Sequence, residues 1–264
     1  MSHASEARFW DHQARALDLN ALRREAGFVA AEPLWRWALE AVAARRPGRI
    51  LDLGCGRGAT TLLLAGSDAA PDTVGVDVSL GALAAARALA QGGPRAPAFA
   101  AATLEELPFA DATFDLVAGR FVLHHASALG QAAAEIARVL RPGGSAVFVE
   151  TWGRNPGLRL GRDIAGLFGV GMGTEDERPL GEEELACLAA HFHVERHFPT
   201  FTACELSNRL WRRLKPLARR SPRFRDRLAR VWAGSLAVDR WVERRLPMLK
   251  PWGWFVGLVL EKRR

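Results

Sequence analysis

The stretch RILDLGCGRGATTLLLA, residues 49–65, decides the fold of this chain. A short apolar run that contains Asp52 leads into glycines at the alternate positions 54, 56 and 58, and a segment of helix-compatible composition follows. This pattern predicts a strand, a tight turn and a helix. Glycine at such a turn permits positive φ, and the free N–H groups of the next helix point at whatever binds there. The stretch therefore predicts a ligand-binding turn.

Two classes of ligand use this geometry, and the glycines alone do not separate them. With Ala59 in the last position, the turn also fits the G-x-G-x-x-G/A variant of dinucleotide-binding sites. The neighbouring acids favour a cationic ligand without phosphates. Asp52 lies inside the first strand, where it would attract an ammonium group, and Asp77 closes the next strand, where it can accept both hydroxyls of a ribose. S-adenosylmethionine carries an ammonium, a sulfonium and a ribose, and it matches these groups.

Five motifs in order resemble those of class I S-adenosylmethionine-dependent methyltransferases, in the small-molecule and lipid branch that is similar to the type 11 methyltransferases. The motifs are LDLGCGRG at 51–58, VGVDVS at 74–79, LPFADATFDLV at 107–117, FVLHH at 121–125 and RVLRPGG at 138–144. The resemblance covers about residues 35–150. It implies an α/β fold with a Rossmann-like, doubly wound sheet of seven strands, mostly parallel with an antiparallel last strand. N-terminal helices and a helical insertion before the last strand complete the expected architecture.

The chain is expected to divide into four segments. These are an N-terminal helical cap at 1–46, the S-adenosylmethionine-binding α/β core at 47–204, a basic amphipathic helical insertion at 205–250 and the last strand at 251–264. A chain of 264 residues with 49% apolar residues can build one packed core with additions. Within the core, Ser79 and Ser127 are predicted to cap helices at 80–91 and 128–140. The strand at 251–260 is predicted to pair antiparallel with residues 191–202.

The candidate cofactor-binding residues follow the carboxyl ends of the parallel strands, where ligands of open α/β sheets bind. The resemblance implies that the glycines pack against the cofactor, that Asp52 serves its amino-acid end and that Asp77 serves its ribose. Members of this family usually have an acid after strand three that binds the adenine amino group. This chain has Thr103 at that position, whose hydroxyl can accept one hydrogen bond, and Glu105 is the alternative. The full set is Asp52, Gly54, Cys55, Gly56, Gly58, Asp77, Val78, Thr103, Leu104, Gly119 and Arg120.

Three residues are candidates for acid–base chemistry: His124, His125 and Glu150. The histidine pair follows strand four, where it can supply a general base for a hydroxyl nucleophile or simply order its loop. Glu150 ends strand five, where it can orient or deprotonate a substrate or pair with an arginine at the rim. No metal is expected, because no third ligand stands at a recognisable spacing.

The predicted reaction is an in-line displacement that moves a methyl group to a small or lipophilic acceptor, by O- or C-methylation. The cofactor carries the activated methyl group, so the protein mainly supplies alignment and desolvation. Two alternatives remain from the residues alone: an NAD(P)-dependent oxidoreductase, favoured by Ala59, and a non-catalytic S-adenosylmethionine-binding module.

Positive charge is concentrated in residues 205–246, which contain 13 Lys/Arg against 4 Asp/Glu in a chain of net charge +7. Apolar residues recur there at helical spacing, which predicts two or three amphipathic helices. The basic face is either solvated or binds an anionic membrane surface. Nucleic acid is disfavoured because no RNA-binding module is recognisable. Three scattered cysteines, no visible secretory signal and no long apolar run predict a cytoplasmic protein, or a peripheral one at the inner membrane face.

Overall fold

The computed structural model describes residues 33–66, 72–91, 96–155, 179–198 and 221–263, together with Ala7, Asp11, Leu214 and Leu217. From the predicted N-terminal cap it describes helix α1, Pro33–Arg45. The rest of the cap before residue 33 lies outside the described residues, apart from Ala7 and Asp11. The same is true of residues 205–220 of the basic insertion, apart from Leu214 and Leu217.

The core is a seven-stranded sheet in the order β3-β2-β1-β4-β5-β7-β6. Its strands are β1 Arg49–Leu53, β2 Asp72–Asp77, β3 Ala98–Ala101, β4 Phe114–Arg120, β5 Leu140–Thr151, β6 Phe192–His197 and β7 Phe255–Lys262. Strands β3, β2, β1, β4 and β5 pair in parallel, and β7 runs antiparallel to β6. The predicted fold class is therefore confirmed, including the antiparallel last strand.

Helices separate most of the strands along the chain, and none lies between β3 and β4. They are α2 Ala59–Ala65, α3 Leu80–Ala90, α4 Leu129–Val139, α5 Glu182–Ala189 and α6 Pro222–Arg245, with short 3₁₀ turns at Leu123–His125 and Pro247–Trp252. Ser79 caps α3 as predicted, because its hydroxyl accepts a 3.0 Å hydrogen bond from the backbone N–H of Ala82. Helices that cover both faces of a parallel sheet bury its central strands, and such strands have continuous apolar sequences.

The topology places a ligand crevice at the carboxyl ends of β1 and β4. Strand β1 pairs with β2 on one side and with β4 on the other. The strands that follow β1 in the chain therefore add first to one side of it and then to the other. Ligands of doubly wound folds bind where the strand order reverses in this way. The glycine turn after β1 and the residues after β4 therefore meet at the predicted place.

One local prediction was wrong, and the start of β5 is irregular, because contacts distant in sequence decide the structure. Helix α4 ends at Val139, and the segment Arg141–Gly144 lies within β5 as an irregularity: the register moves from Phe114 opposite Leu140 to Leu116 opposite Ser145. Ser127 was predicted to cap α4, but the N-cap position is Ala128. The amide and hydroxyl of Ser127 instead donate to Glu105, at 2.7 and 2.9 Å.

The chain divides into two compact units. The first contains residues 1–150, 174–197 and 257–264, and the second contains residues 151–173 and 198–256. Within the second unit, the backbone N–H of Trp152 donates to the carbonyl of Trp254 at 2.9 Å, and Asn155 donates to the carbonyl of Trp252 at 2.6 Å. The last strand begins at Phe255 rather than at the predicted residue 251, because residues 247–252 form a 3₁₀ turn. Among the described residues, none of the helices has the length and apolar character that a membrane crossing requires.

Candidate active site

The glycine turn after β1 has the left-handed backbone that its sequence predicts. Gly54, Gly56 and Gly58 have φ values of +61°, +52° and +80°. A Cβ atom at Gly54 would lie 2.4 Å from the side chain of Val122, whereas one at Gly56 would meet no atom within 4 Å. The turn is therefore packed against protein at Gly54 and open at Gly56, which leaves room for a ligand at the open side.

Asp52 lies beneath this turn and is fully buried. Its Oδ2 atom accepts hydrogen bonds from the hydroxyls of Thr60 and Thr61, at 2.8 and 2.6 Å. Its Oδ1 atom has no hydrogen-bond partner among the described residues. Burial raises the pKa of Asp52 to about 6, the two threonine hydrogen bonds oppose the rise, and the charge of Asp77 adds to it. A buried carboxylate with an unpartnered oxygen suits a cationic ligand, which would stabilise the ionised form.

Asp77 connects the end of β2 to the glycine turn. Its Oδ2 atom accepts from the backbone N–H of Gly56 at 2.8 Å, and its Oδ1 atom accepts from that of Ser79 at 2.9 Å. Burial raises the pKa of Asp77, and these backbone hydrogen bonds oppose the rise. A carboxylate oxygen can accept more than one hydrogen bond, so both atoms retain capacity for ligand hydroxyls.

Asp11 is a residue of this region that the sequence did not reveal. Its carboxylate accepts hydrogen bonds from the hydroxyl of Ser79 at 2.6 Å and from the backbone N–H of Gly81 at 2.8 Å. It therefore binds the first turn of α3, and its charge contributes to the raised pKa of Asp77. An acid so far away in the chain leaves no local pattern that could predict this contact.

The other cofactor candidates occupy three kinds of position. The side chain of Cys55 is buried and faces Gly75, so only its backbone lies on the turn; burial raises the pKa of its thiol. Val78, Thr103 and Leu104 are half-buried after β2 and β3. Glu105, the alternative to Thr103, accepts hydrogen bonds from Ser127 and Ala128 at the start of α4.

The end of β4 has an unusual backbone. Gly119 pairs with Leu53 of β1, and a Cβ atom there would lie 2.6 Å from the ring of Phe148. Phe121 has a φ of +55°, which is rare for a bulky residue, and the guanidinium of Arg120 lies 4.7 Å from the centre of its ring. Residues held in sparsely populated regions of φ/ψ space cluster at functional sites. Sequence reasoning singled out Gly119 and Arg120 here but missed Phe121.

His124 and Glu150 form a buried pair at the ends of β4 and β5. The Nδ1 atom of His124 lies 2.6 Å from Oε2 of Glu150, and their side chains are 7% and 0% exposed. The other oxygen of Glu150, Oε1, accepts from the backbone N–H groups of Val122 and Leu123 at 2.9 and 2.8 Å. The ring of His125 lies 4.2 Å from that of His124. The structure thus brings together the three residues that the sequence selected for acid–base chemistry. Among the described residues, no group of three or more His, Cys, Asp or Glu could hold a metal ion.

The sheet order, the glycine turn and the acids of β1 and β2 are those of a class I S-adenosylmethionine-dependent methyltransferase domain. Comparison with known proteins agrees: residues 51–148, less than half of the chain, match the sequence model of the family described as Methyltransferase domain. This match bears out the predicted class of domain, whose cofactor is S-adenosylmethionine.

Two curated relatives show how far the likeness extends. The chain is 37% identical over 147 residues to a demethylmenaquinone methyltransferase from Beutenbergia cavernae, which covers 54% of this chain and 57% of the relative. It is 37% identical over 110 residues to a malonyl-[acyl-carrier protein] O-methyltransferase from Pseudescherichia vulneris, which covers 42% of this chain and 41% of the relative. The chain therefore spans about half the length of the curated relatives it matches.

A solved structure extends the likeness in fold beyond the family match. The crystal structure of the [4+2]-cyclase SpnF aligns with a TM-score of 0.56 and 24% identity over 90% of this chain and 80% of that chain. This likeness shows the fold alone. Because that protein is described as a cyclase, the same architecture serves more than one reaction, and the reaction of this chain has to be argued from its site.

Proposed function

We propose that this protein is an S-adenosylmethionine-dependent methyltransferase that moves a methyl group to a small or lipophilic acceptor, by O- or C-methylation. The observation that carries the proposal is Asp52, buried in the family-matched region with an unpartnered oxygen beneath a glycine turn that is open at Gly56. S-adenosylmethionine supplies a methyl group activated on a positively charged sulfur, and its ammonium group would satisfy that oxygen. A diphosphate, in contrast, would bring negative charge towards two carboxylates.

The cofactor-binding residues follow from this assignment. Asp52 would bind the amino-acid end and Asp77 the ribose, with the backbone of the glycine turn between them. Thr103 and Leu104, together with Cys55 and Val78, would complete the nucleoside side of the site. The remaining candidates, Gly119 and Arg120, lie at the end of β4, where the crevice predicted from the topology opens.

His124 is proposed as the general base, with Glu150 as the residue that positions it. Glu150 cannot turn away because two backbone N–H groups hold its Oε1 atom, so its Oε2 atom is fixed against the His124 ring. A carboxylate at Nδ1 favours the tautomer with the proton on that nitrogen, and proton exchange with an acceptor would then use Nε2. His125, stacked beside this ring, would limit its rotation.

The acceptor is proposed to be a quinone-like molecule, an acyl ester or a related lipophilic compound. The support comes from the named relatives, which act on demethylmenaquinone and on malonyl-[acyl-carrier protein]. The second unit, residues 151–173 and 198–256, lies outside the family match, so the residues that select the acceptor need not resemble those of either relative. A lipophilic acceptor fits a peripheral position at the inner membrane face, with an anionic membrane surface as the partner of residues 205–246.

The decisive experiment measures cofactor binding and methyl transfer separately. We expect S-adenosylhomocysteine to bind in calorimetry, NADH not to bind, and Asp77→Ala to abolish binding. Asp72→Ala is the matched control, because Asp72 is an exposed acid at the opposite end of the same strand. Transfer is then followed as radiolabel moving from S-adenosylmethionine into quinols and acyl esters. Binding without transfer to any acceptor would favour the non-catalytic module, and binding of NADH alone would favour the oxidoreductase.

A further inference from the structure

Helix α6 has two faces that differ in burial. Its inner face follows the helical repeat through Leu228, Asp239 and Val242, which are 7%, 4% and 7% exposed. Beside the inner face runs a second stripe, called the outer face here, which presents Val231, Val238 and Trp241; these are 51%, 50% and 57% exposed. Steps of seven and three residues bring these three side chains to one side of an α-helix. Val238 and Val242 are one helical turn apart, but Val238 is half exposed whereas Val242 is buried.

The turn after α6 adds further exposed apolar side chains. Residues 247–252 form the 3₁₀ turn that packs against α6, and they include Met248 and Trp252, which are 70% and 53% exposed. Soluble chains rarely expose several large apolar side chains close together without a partner for them. We therefore expect the outer face of α6 to bind a partner.

The charges on the same face indicate which kind of partner it binds. Arg227 stands four residues before Val231, and Arg245 stands four residues after Trp241, so helical spacing places both on the outer face. Among the described acids of α6, Asp239 is buried on the inner face and Asp226 lies 3.6 Å from Arg225. Exposed arginines at both ends of an apolar, tryptophan-containing centre match a bilayer interface, where phosphates meet acyl chains. A nucleic acid would leave the aliphatic centre without a role.

We propose that the outer face of α6, defined by Arg227, Val231, Val238, Trp241 and Arg245, docks on an anionic lipid bilayer, with Met248 and Trp252 as additional anchors. This inference rests on the membrane partner named in the proposed function, and it assigns that partner to particular side chains. Trp241 inserts at the level of the headgroups, and the two arginines bind lipid phosphates. The helix lies in the plane of the interface and does not cross it.

Vesicle co-sedimentation of the full chain tests the docking surface. We expect binding to phosphatidylcholine vesicles that contain phosphatidylglycerol at low salt, and weak binding to phosphatidylcholine alone or at high salt. Each basic residue near an anionic membrane surface raises the affinity about fivefold. The double variant Arg227→Gln, Arg245→Gln should therefore bind these vesicles about thirtyfold more weakly. The variant Trp241→Ser should lose about tenfold, because it removes the largest apolar side chain of the face.

Matched controls distinguish binding through the outer face from an effect of net charge and from an effect of exposed apolar side chains in general. The double variant Arg225→Gln, Arg240→Gln removes the same charge from other sides of α6, and Leu80→Ser removes a similarly exposed apolar side chain from the first unit. Both should bind vesicles like the unchanged protein. Equal losses in the control and test arginine pairs would overturn the proposal, and so would equal binding to neutral and anionic vesicles.

A second copy of the chain is the other occupant that the experiment can detect. If size-exclusion chromatography shows a dimer that Trp241→Ser converts to a monomer, and vesicles do not bind, the face belongs to self-association and the proposal is wrong. The test uses no methyl transfer, so failure of vesicle binding leaves the proposed reaction standing, and failure of the reaction leaves the docking surface standing. The arginine variants alter only exposed side chains, which keeps the test valid if Trp241→Ser does not fold.

Discussion

At the scale of a single residue, Asp52 is expected to make the proposed cofactor affinity depend on pH. Its pKa of about 6 means that lowering the pH through this value neutralises the carboxylate that would pair with an ammonium group. We expect the affinity for S-adenosylhomocysteine, measured by calorimetry, to fall as the pH drops from 8 to 5. In Asp52→Asn the affinity should be low and nearly independent of pH over that range. An equally steep pH dependence in the variant would assign the titration to another group.

The same carboxylate destabilises the folded protein at neutral pH. Its pKa of about 6 in the folded state exceeds its ordinary value of 3.8, so the folded state binds more protons between these pH values. Stability is therefore lost as the pH rises through this window, by about 3 kcal/mol for this group. Thermal unfolding of Asp52→Asn should show a smaller difference between pH 5 and pH 8 than the unchanged protein. A larger difference would contradict the assigned pKa.

Glu150 should control which nitrogen of His124 carries the proton. In Glu150→Gln, the amide oxygen can still accept from Val122 and Leu123, but the amide nitrogen then faces Nδ1 and donates to it. The His124 proton moves to Nε2, and the ring can no longer accept a proton there. For a hydroxyl acceptor, we expect kcat to fall by about 10²–10⁴ with unchanged cofactor affinity, and the pH–rate profile to lose its acidic limb. Glu106→Gln, at an exposed neighbour of Glu105, is the control. Unchanged kcat in Glu150→Gln would leave the pair a structural role only.

At the scale of the element, substitutions at two glycines of the turn should affect different properties, stability at Gly54 and ligand binding at Gly56. In Gly54→Ala the new methyl group would overlap Val122, and the left-handed backbone adds about 1–2 kcal/mol, so the melting temperature should fall strongly. In Gly56→Ala the backbone penalty is similar, but the methyl group enters open space where the ligand is proposed to bind. We therefore expect a smaller loss of melting temperature and a larger loss of affinity for S-adenosylhomocysteine. The opposite ranking would mean that the ligand does not approach the turn at Gly56.

Elements with local causes could be predicted from the sequence, and those with distant causes could not. The strand–turn–helix at 49–65 depends on its own glycines and apolar residues, and the structure has it as predicted. The irregularity at Arg141–Gly144 arises from pairing with β4, where Arg141 also contacts Asp115 at 2.6 Å. At the start of α4, the backbone N–H groups of Ser127 and Ala128 donate to Glu105, which is distant in sequence, so Ser127 does not cap the helix. Neither contact leaves a periodic pattern in the sequence.

The candidate site shows the same limit. Asp52, Asp77, His124 and Glu150 could be selected because each lies near the carboxyl end of a predicted strand or just after it, and parallel strands bring their carboxyl ends to one edge. The hydrogen bond between His124 and Glu150 could not be predicted, because it depends on how β5 aligns with β4. Phe121 was missed since its positive φ is a property of the folded backbone and not of its residue type.

At the scale of the whole molecule, cofactor binding should stabilise the first unit through the residues that meet at its glycine turn. A ligand at about a hundred times its dissociation constant contributes about 2.7 kcal/mol to the stability of the folded state. Asp77 holds the backbone N–H groups of Gly56 and Ser79, and Asp52 holds Thr60 and Thr61 at the start of α2. We expect hydrogen exchange with S-adenosylhomocysteine bound to slow most in residues 52–61 and 77–82. Asp77→Ala should remove this protection while Asp72→Ala retains it. Protection confined to residues 222–252 would place the ligand in the second unit, and the assignment of the cofactor to the glycine turn would then be wrong.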